Sequence, residues 1–197
     1  VRVVDYKSGT KDFLLSDIIH GLNLQMFIYL FNLCKSNNEL AGTEAGVLYM
    51  HAARKVFSGI RTNTDFSKEE DKEFCMKGLV VNDSEHQLAS HMDREGTNKY
   101  IPVKINKKGE LSGNIVSLAD LGVISRKIDK LVESMGVNLH NGKINQNPVL
   151  SKSHSKTCEY CDYSDVCINR TSIDYNEFEE LSFYDALNEL REEDSNA

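Results

Sequence analysis

"VRVVDYKSGTKDF" (Val1–Phe13) opens the chain, and its reading decides the fold. Val1, Val3 and Val4 supply β-branched bulk, so Arg2 to Tyr6 reads as a short strand. Side chains alternate along a strand, and Asp5 and Lys7 therefore leave the same face of a sheet. Two readings stay open here. The pair is an ion pair on a sheet edge, or it is half of a metal-dependent site that hydrolyses phosphodiesters. The second reading needs a carboxylate for Mg²⁺, because hard cations prefer oxygen ligands, and a cation near the attacked phosphate.

After a polar loop, Ser16 or Asp17 is placed to cap one helix running to about Lys35. Its apolar density predicts burial, and Gln25 and Tyr29, spaced i and i+4, share one polar spot on it. That spot is a satisfied polar pair at a helix edge, or a group that steadies Lys7 and contacts phosphate. Glu44 to Ala52 reads as a second strand beside the first, in a βαβ arrangement. Ala53 to Thr64 has no clear period, and Ser67 with Glu70 has capping-box spacing for a short helix ending near Met76. Lys77 to Asp83 reads as a short strand or an extended segment, Ser84 to Asp93 as a helical turn or two, and Lys107 to Gly109 as a turn after another strand. A long helix is expected from Ser117 to Met135 or Leu139, with Leu118, Leu121, Ile124, Ile128, Leu131 and Val132 as its apolar stripe.

Composition bounds the function classes. Of the 197 residues 40% are hydrophobic and 27% charged, which predicts a globular chain rather than a disordered one. The net charge of −7 argues against a free-standing nucleic-acid binder, but Asp174 to Asp194 holds nine acidic residues against Arg191 alone. Without that acidic amphipathic helix, which reads as a solvated face, the balance is slightly positive, so charge neither supports nor excludes DNA. No apolar run approaches the ~20 residues of a membrane span, and no signal peptide is evident, so a cytoplasmic protein is expected. A chain that begins at Val1 inside a strand is expected to be a piece of something larger.

Five cysteines complete the chemistry. Cys34 and Cys75 fall in helix-like patterns and read as small buried hydrophobes. Cys158, Cys161 and Cys167 cluster in "CEYCDYSDVC" and point to metal. Zinc and iron–sulfur clusters both want four ligands. Either His154 completes a zinc knuckle, or the fourth ligand lies outside this chain. His20, His51, His86, His91 and His140 have no partners at metal-ligand spacing and read as packing or surface residues.

"VVDYKSG", "GLNLQMFIYL", "AGVLYMHA" and "CEYCDYSDVC", with "FCMKGLVVND", "YIPVKINKKGEL" and "GKINQNPV" between them, resemble the C-terminal nuclease domain of AddAB-type helicase–nucleases, as found in their B chain, a RecB-like branch of the PD-(D/E)xK superfamily. The resemblance runs to about Asn169. It implies an α/β fold with a restriction-endonuclease-like core, a mixed sheet flanked by helices, a C-terminal cysteine-rich metal-cluster segment, and a core whose N-terminal part lies upstream. It implies that Asp5 binds Mg²⁺, that the Tyr6 backbone carbonyl is a further ligand, and that Lys7 stands near the attacked phosphate. Gln25 and Tyr29 match the QxxxY motif, and Cys158, Cys161 and Cys167 match the last three ligands of a [4Fe–4S] cluster. The first acidic metal ligand and the first cluster cysteine would precede Val1, so the piece alone is expected to be inactive.

The implied organisation is a nuclease core over 1–157, with an insertion at about 53–116, a cysteine cluster over 158–169 and an acidic tail over 170–197. The leading expectation is a Mg²⁺-dependent DNA exonuclease domain of a helicase–nuclease that processes double-strand breaks. Its partners would be DNA (double-strand ends and single strands) and AddA, the other half of the helicase–nuclease heterodimer, with no membrane. Alternatives are a Cas4- or Dna2-like iron–sulfur nuclease, and a non-catalytic metal-stapled module that binds DNA ends or a partner. A structural Zn²⁺ protein is the third class.

Overall fold

The computed structural model describes residues 1–9, 11–36, 42–53, 67–83, 91–92, 99–105, 110–154, 157–167 and 174–196, with backbone alone at 67–70 and 105. β1 (Arg2–Lys7) pairs in parallel with β2 (Gly46–His51), placing Asp5 opposite Tyr49 and Lys7 opposite His51. β2 runs antiparallel to β3 (Lys77–Val81), and β3 is parallel to the short β6 (Ile115–Val116). The result is a mixed four-stranded sheet, ordered β1-β2-β3-β6. Its third strand comes from the stretch read as an insertion. A hairpin of β4 (Val103–Ile105) and β5 (Leu111–Gly113) stands apart, and β7 (Val149–Leu150) pairs with β8 (Asn176–Glu177).

Period-two alternation splits the apolar residues of β2 and β3 between two faces. Val47, Tyr49, Leu79 and Val81 join the main core with helical residues such as Phe27, Leu30, Ile124 and Leu187. Leu48 and Val80 point the other way and meet Ile101 and Val103. The two strands approach closely at Gly78, where an added Cβ would lie 2.0 Å from the Val47 carbonyl oxygen.

The single helix expected from Ser16 to Lys35 is two helices, α1 (Ser16–Ile19) and α2 (Gln25–Lys35). Between them Gly21 (φ 76°) and Asn23 (φ 53°) adopt left-handed backbone, which interrupts the helical run and ends α1. Ser16 and Asp17 lie buried inside α1 instead of capping it. α3 (Ser67–Phe74) ends two residues before the expected Met76, and its anticipated capping box falls outside the described side chains. The unpatterned stretch at 54–66, the turn at 107–109 and most of 84–93 lie outside the described residues, although 91–92 are helical.

α4 (Leu118–His140) starts where the sequence places it, because Ser117 and Asp120 form a reciprocal capping box. Leu121, Ile124 and Ile128 are buried, but Leu118 and Val132 of the expected stripe are half exposed. The terminal α5 (Phe183–Ser195) buries Ala186, Leu187 and Leu190 in the main core. Its acidic side is knitted to α4: Asp194 accepts two hydrogen bonds from Arg126 at 2.8 and 2.6 Å, and Glu193 pairs with Lys127 at 2.6 Å.

Asp120 serves both helices. Its Oδ2 accepts from the Ser117 backbone N–H, and its Oδ1 accepts from Arg191 Nε at 2.7 Å. Burial pushes this carboxyl up, but the hydrogen bonds from Arg191 and Ser117 outweigh that and hold it below its ordinary value. A lowered native pKa stabilises the fold above the unfolded-state value, and the stabilisation is lost as pH falls through the native one. Asp120→Asn is therefore expected to destabilise the fold by about 1–3 kcal/mol at neutral pH. In denaturant titrations the gap from wild type should shrink once the pH drops below about 4. Gly78→Ala should cost at least about 2 kcal/mol by the same measurement, because backbone atoms rather than a flexible side chain occupy the space.

Candidate functional site

β1 ends on the helical face of the sheet. Val3 packs against the main core there, and two and four residues later Asp5 and Lys7 leave that same face just beyond the apolar layer. Their side chains, about one-third exposed, form an ion pair at 2.6 Å. Asp5 Oδ1 has no hydrogen-bond or ion-pair partner among the described residues.

The backbone of β1 is equally specific. Val1 and Lys7 turn their carbonyls to the β2 side, where the Ala45 and Ala52 N–H groups donate to them at 2.7 and 2.9 Å. In a parallel pair alternate residues face the same neighbour, so the intervening Tyr6 turns its carbonyl to the other edge of β1. Among the described residues no strand pairs with that edge.

Below the ion pair lies Tyr49, 6% exposed and opposite Asp5 in register. Burial, then Asp5 and Asp17, push its phenol up to about 12, so it remains protonated across the working range. Lys7 and Lys11 both place their ammonium groups 5.5 Å from the Tyr49 ring centroid. Lys11 also donates to the Asn23 side-chain oxygen, and Asn23 in turn donates to buried Asp17. Burial and then neighbouring Lys7 hold the Lys11 ammonium below the ordinary lysine value, against Asp17 and Asp5. The places of Lys11, Asn23, Asp17 and Tyr49 beside the pair escaped the sequence reading. Three sit in or beside loops without periodicity, and Tyr49 looked like one more strand apolar.

Gln25 and Tyr29 do meet. Gln25 Nε2 donates to Tyr29 Oη at 3.0 Å on the exposed side of α2, the helix that packs on β1. Among the described residues no hydrogen bond or ion pair joins either one to Asp5 or Lys7. His51, read as an ordinary packing residue, pairs with Glu73 at 2.5 Å near the same strand end. His20 stacks on Phe178, and burial lowers its pKa.

Cys158, Cys161 and Cys167 line one open cavity of about 600 Å³, together with Pro148, Tyr163 and Val166. Among the described residues no three His, Cys, Asp or Glu side chains stand grouped as metal ligands. His154, the alternative zinc ligand, turns elsewhere: its Nε2 lies 3.2 Å from Asp17 Oδ1. Cys34 and Cys75, read as buried, are half-buried, and burial raises the Cys34 thiol. No described helix is long and apolar enough to cross a membrane.

Comparison with known proteins places these features. Residues 1–168 match the PD-(D/E)XK nuclease superfamily. The chain is 34% identical over 186 residues to the B subunit of an ATP-dependent helicase/deoxyribonuclease from Clostridium novyi, covering 90% of this chain and 16% of that protein. It is 32% identical over 190 residues to the B subunit so named in Acetivibrio thermocellus (92% and 16%), and 30% identical over 207 residues to that of Bacillus cereus (98% and 18%). The chain thus spans under one-fifth of the length of these curated relatives. The mixed sheet, its flanking helices and the Asp5–Lys7 pair at the end of β1 sit within the matched region, and the chain belongs to the PD-(D/E)XK nuclease superfamily.

Proposed function

We propose that this chain is the nuclease domain of a helicase-linked, Mg²⁺-dependent DNA exonuclease that processes double-strand breaks for recombinational repair. The observation that carries the proposal is the Asp5–Lys7 pair at the end of β1, in a chain of a nuclease superfamily. A Mg²⁺ ion would be held by Asp5, whose Oδ1 is uncommitted, and by the outward-turned Tyr6 carbonyl; it would activate water and neutralise phosphate charge. These hard oxygen donors suit that ion. A further carboxylate ligand would come from outside this chain, along the open edge of β1.

In this reading Asp5 fixes the position of Lys7, and the Lys7 ammonium holds the non-bridging oxygens of the scissile phosphate. It stabilises the extra negative charge that develops there, in a setting where Tyr49 below it stays neutral. The exposed Gln25–Tyr29 pair orients the same strand through its amide and phenol. DNA and the helicase partner of the heterodimer would be the macromolecules engaged, in keeping with relatives named as components of a helicase/deoxyribonuclease.

Cys158, Cys161 and Cys167 would hold three irons of a [4Fe–4S] cluster whose fourth cysteine lies outside this chain. Three soft thiols within one short segment suit such a centre by their chemistry, and the engagement of His154 with Asp17 supports iron–sulfur over a zinc knuckle. The cluster would supply a crosslink rather than a reaction step.

The complete protein is expected to degrade linear DNA with Mg²⁺. Asp5→Asn should lower that activity at least ~10³-fold and Lys7→Met ~10²-fold or more, with thermal stability retained. Tyr29→Phe should lose about tenfold. Retained cutting by Asp5→Asn rules out this site, and DNA-end binding without any cutting by wild type favours the non-catalytic module. This chain expressed alone is expected to show no cutting. Anaerobically purified protein should contain about four irons with broad visible absorbance, both lost in Cys161→Ser; one zinc and no colour would overturn the iron–sulfur assignment.

A further inference from the structure

Beside the Asp5–Lys7 pair a cavity of about 180 Å³ opens over Tyr49, and four lysines line it. They come from four separate segments: Lys7 from β1, Lys11 from the loop after it, Lys72 from α3 and Lys77 from β3. Their carboxylate partners are unevenly shared. Lys7 has Asp5, Lys77 has Asp12 at 2.5 Å, and Glu73 on the cavity wall is taken by His51. Lys11 and Lys72 have no carboxylate ion pair among the described residues, and of these two Lys11 is the one held by a side-chain hydrogen bond, from its ammonium to Asn23.

A neutral amide holds the half-buried Lys11 ammonium instead, and the nearest acid behind it, Asp17, is already engaged by Asn23 and His154. A cation that has lost water, beside another cation and with the nearby carboxylates Asp5 and Asp17 bonded to other groups, is only partly compensated until a further anion arrives. The arrangement is nonetheless built. Asn23 takes a left-handed backbone conformation, unusual for a residue with a Cβ, and Asp17 is 2% exposed. Together they aim one ammonium group at an open cavity.

Tyr49 sets the spacing. Both ammonium groups lie 5.5 Å from its ring centroid, so they stand at most twice that apart, near enough to meet neighbouring phosphates of one strand. The ring itself is buried, which leaves no face for a base to stack on. Positive charge without a stacking surface recognises the backbone and not the sequence.

We propose that Lys11, held by Asn23 and Asp17, binds the phosphate adjacent to the scissile one, so that the cavity over Tyr49 is a second phosphate subsite for a single DNA strand. The proposal rests on the nuclease reading for its choice of ligand. Lys72 and Lys77 widen the positive rim, and Lys11 makes the contact.

The test is a binding scan on the complete protein without divalent metal, so that no cutting occurs. Single-stranded oligonucleotides would each carry one uncharged methylphosphonate at successive linkages. Wild type should lose about tenfold in affinity at two neighbouring linkages. Lys7→Met should abolish the penalty at one and Lys11→Met the penalty at the other, while Lys11→Arg keeps both. The slope of log affinity against log salt should fall by about 0.7 in Lys11→Met, the share of one phosphate on a single strand. Two penalties in Lys11→Met as in wild type, or no position-dependent penalty in wild type, would overturn the subsite. Thermal melts of Lys11→Met and Lys11→Arg keep folding separate from binding. Failure of the nuclease reading would show independently, as cutting that survives Asp5→Asn.

Discussion

The alternation of side chains and carbonyls along β1 is the constraint on which the rest of the site depends. Its parallel register with β2 commits the carbonyls of Val1 and Lys7 inward and leaves that of Tyr6 turned outward. The same alternation gives Val3 to the core and brings Asp5 and Lys7 out at its margin. Slipping the strand by one residue would turn the charged pair to the face of Leu48 and Val80 and take Val1 and Val3 out of the main core. The apolar part of the strand thus fixes the register, and the polar end inherits its geometry.

A second layer of positioning comes from the break between α1 and α2. The left-handed turn at Gly21 and Asn23 swings α2 back across the sheet and carries Gln25 and Tyr29 with it. It also brings the Asn23 amide between Lys11 and buried Asp17. Buried polar groups are tolerated when satisfied, and Asp17 is satisfied twice, by Asn23 and by His154. One carboxylate therefore braces both a lysine beside β1 and the segment that leads to the cysteines.

Much of this was legible where the signal is local. The β-branched run of β1, the i, i+4 spacing of Gln25 and Tyr29 and the start of the long helix at Ser117 each fix a feature within a few residues, and the structure contains all three. The helix break was not legible, because apolar density runs through "IIHGLNLQMF" and neither Gly21 nor Asn23 forbids a helix. Contacts distant in sequence decide it, with Lys11 and His154 closing on the turn. The half exposure of Leu118 and Val132 has the same origin, since helical period predicts a stripe but not how much of it neighbouring elements cover. Lys11 gave no signal because a loop residue has no period to read. The acidic terminal helix showed its amphipathic character, but not that Arg126, Lys127 and Asp120 of α4 would be its counterpart.

The cysteine segment is held at both of its ends. β7 and β8 clip it together, and Glu180 accepts hydrogen bonds from both Ser151 and Ser153. His154 reaches Asp17. Between those anchors Tyr160, Tyr163 and Val166 are about three-quarters exposed, and Cys161 is exposed. A loop that buries so little apolar surface gains little to offset the entropy of ordering it. Joining its three thiols through a metal centre would shorten the free chain and so strengthen whatever holds its ends. One of those ends is the contact with Asp17, which also fixes Asn23 and, through it, Lys11. On that chain of contacts the cysteine segment would bear on Lys11 mechanically, by holding a shared carboxylate in place.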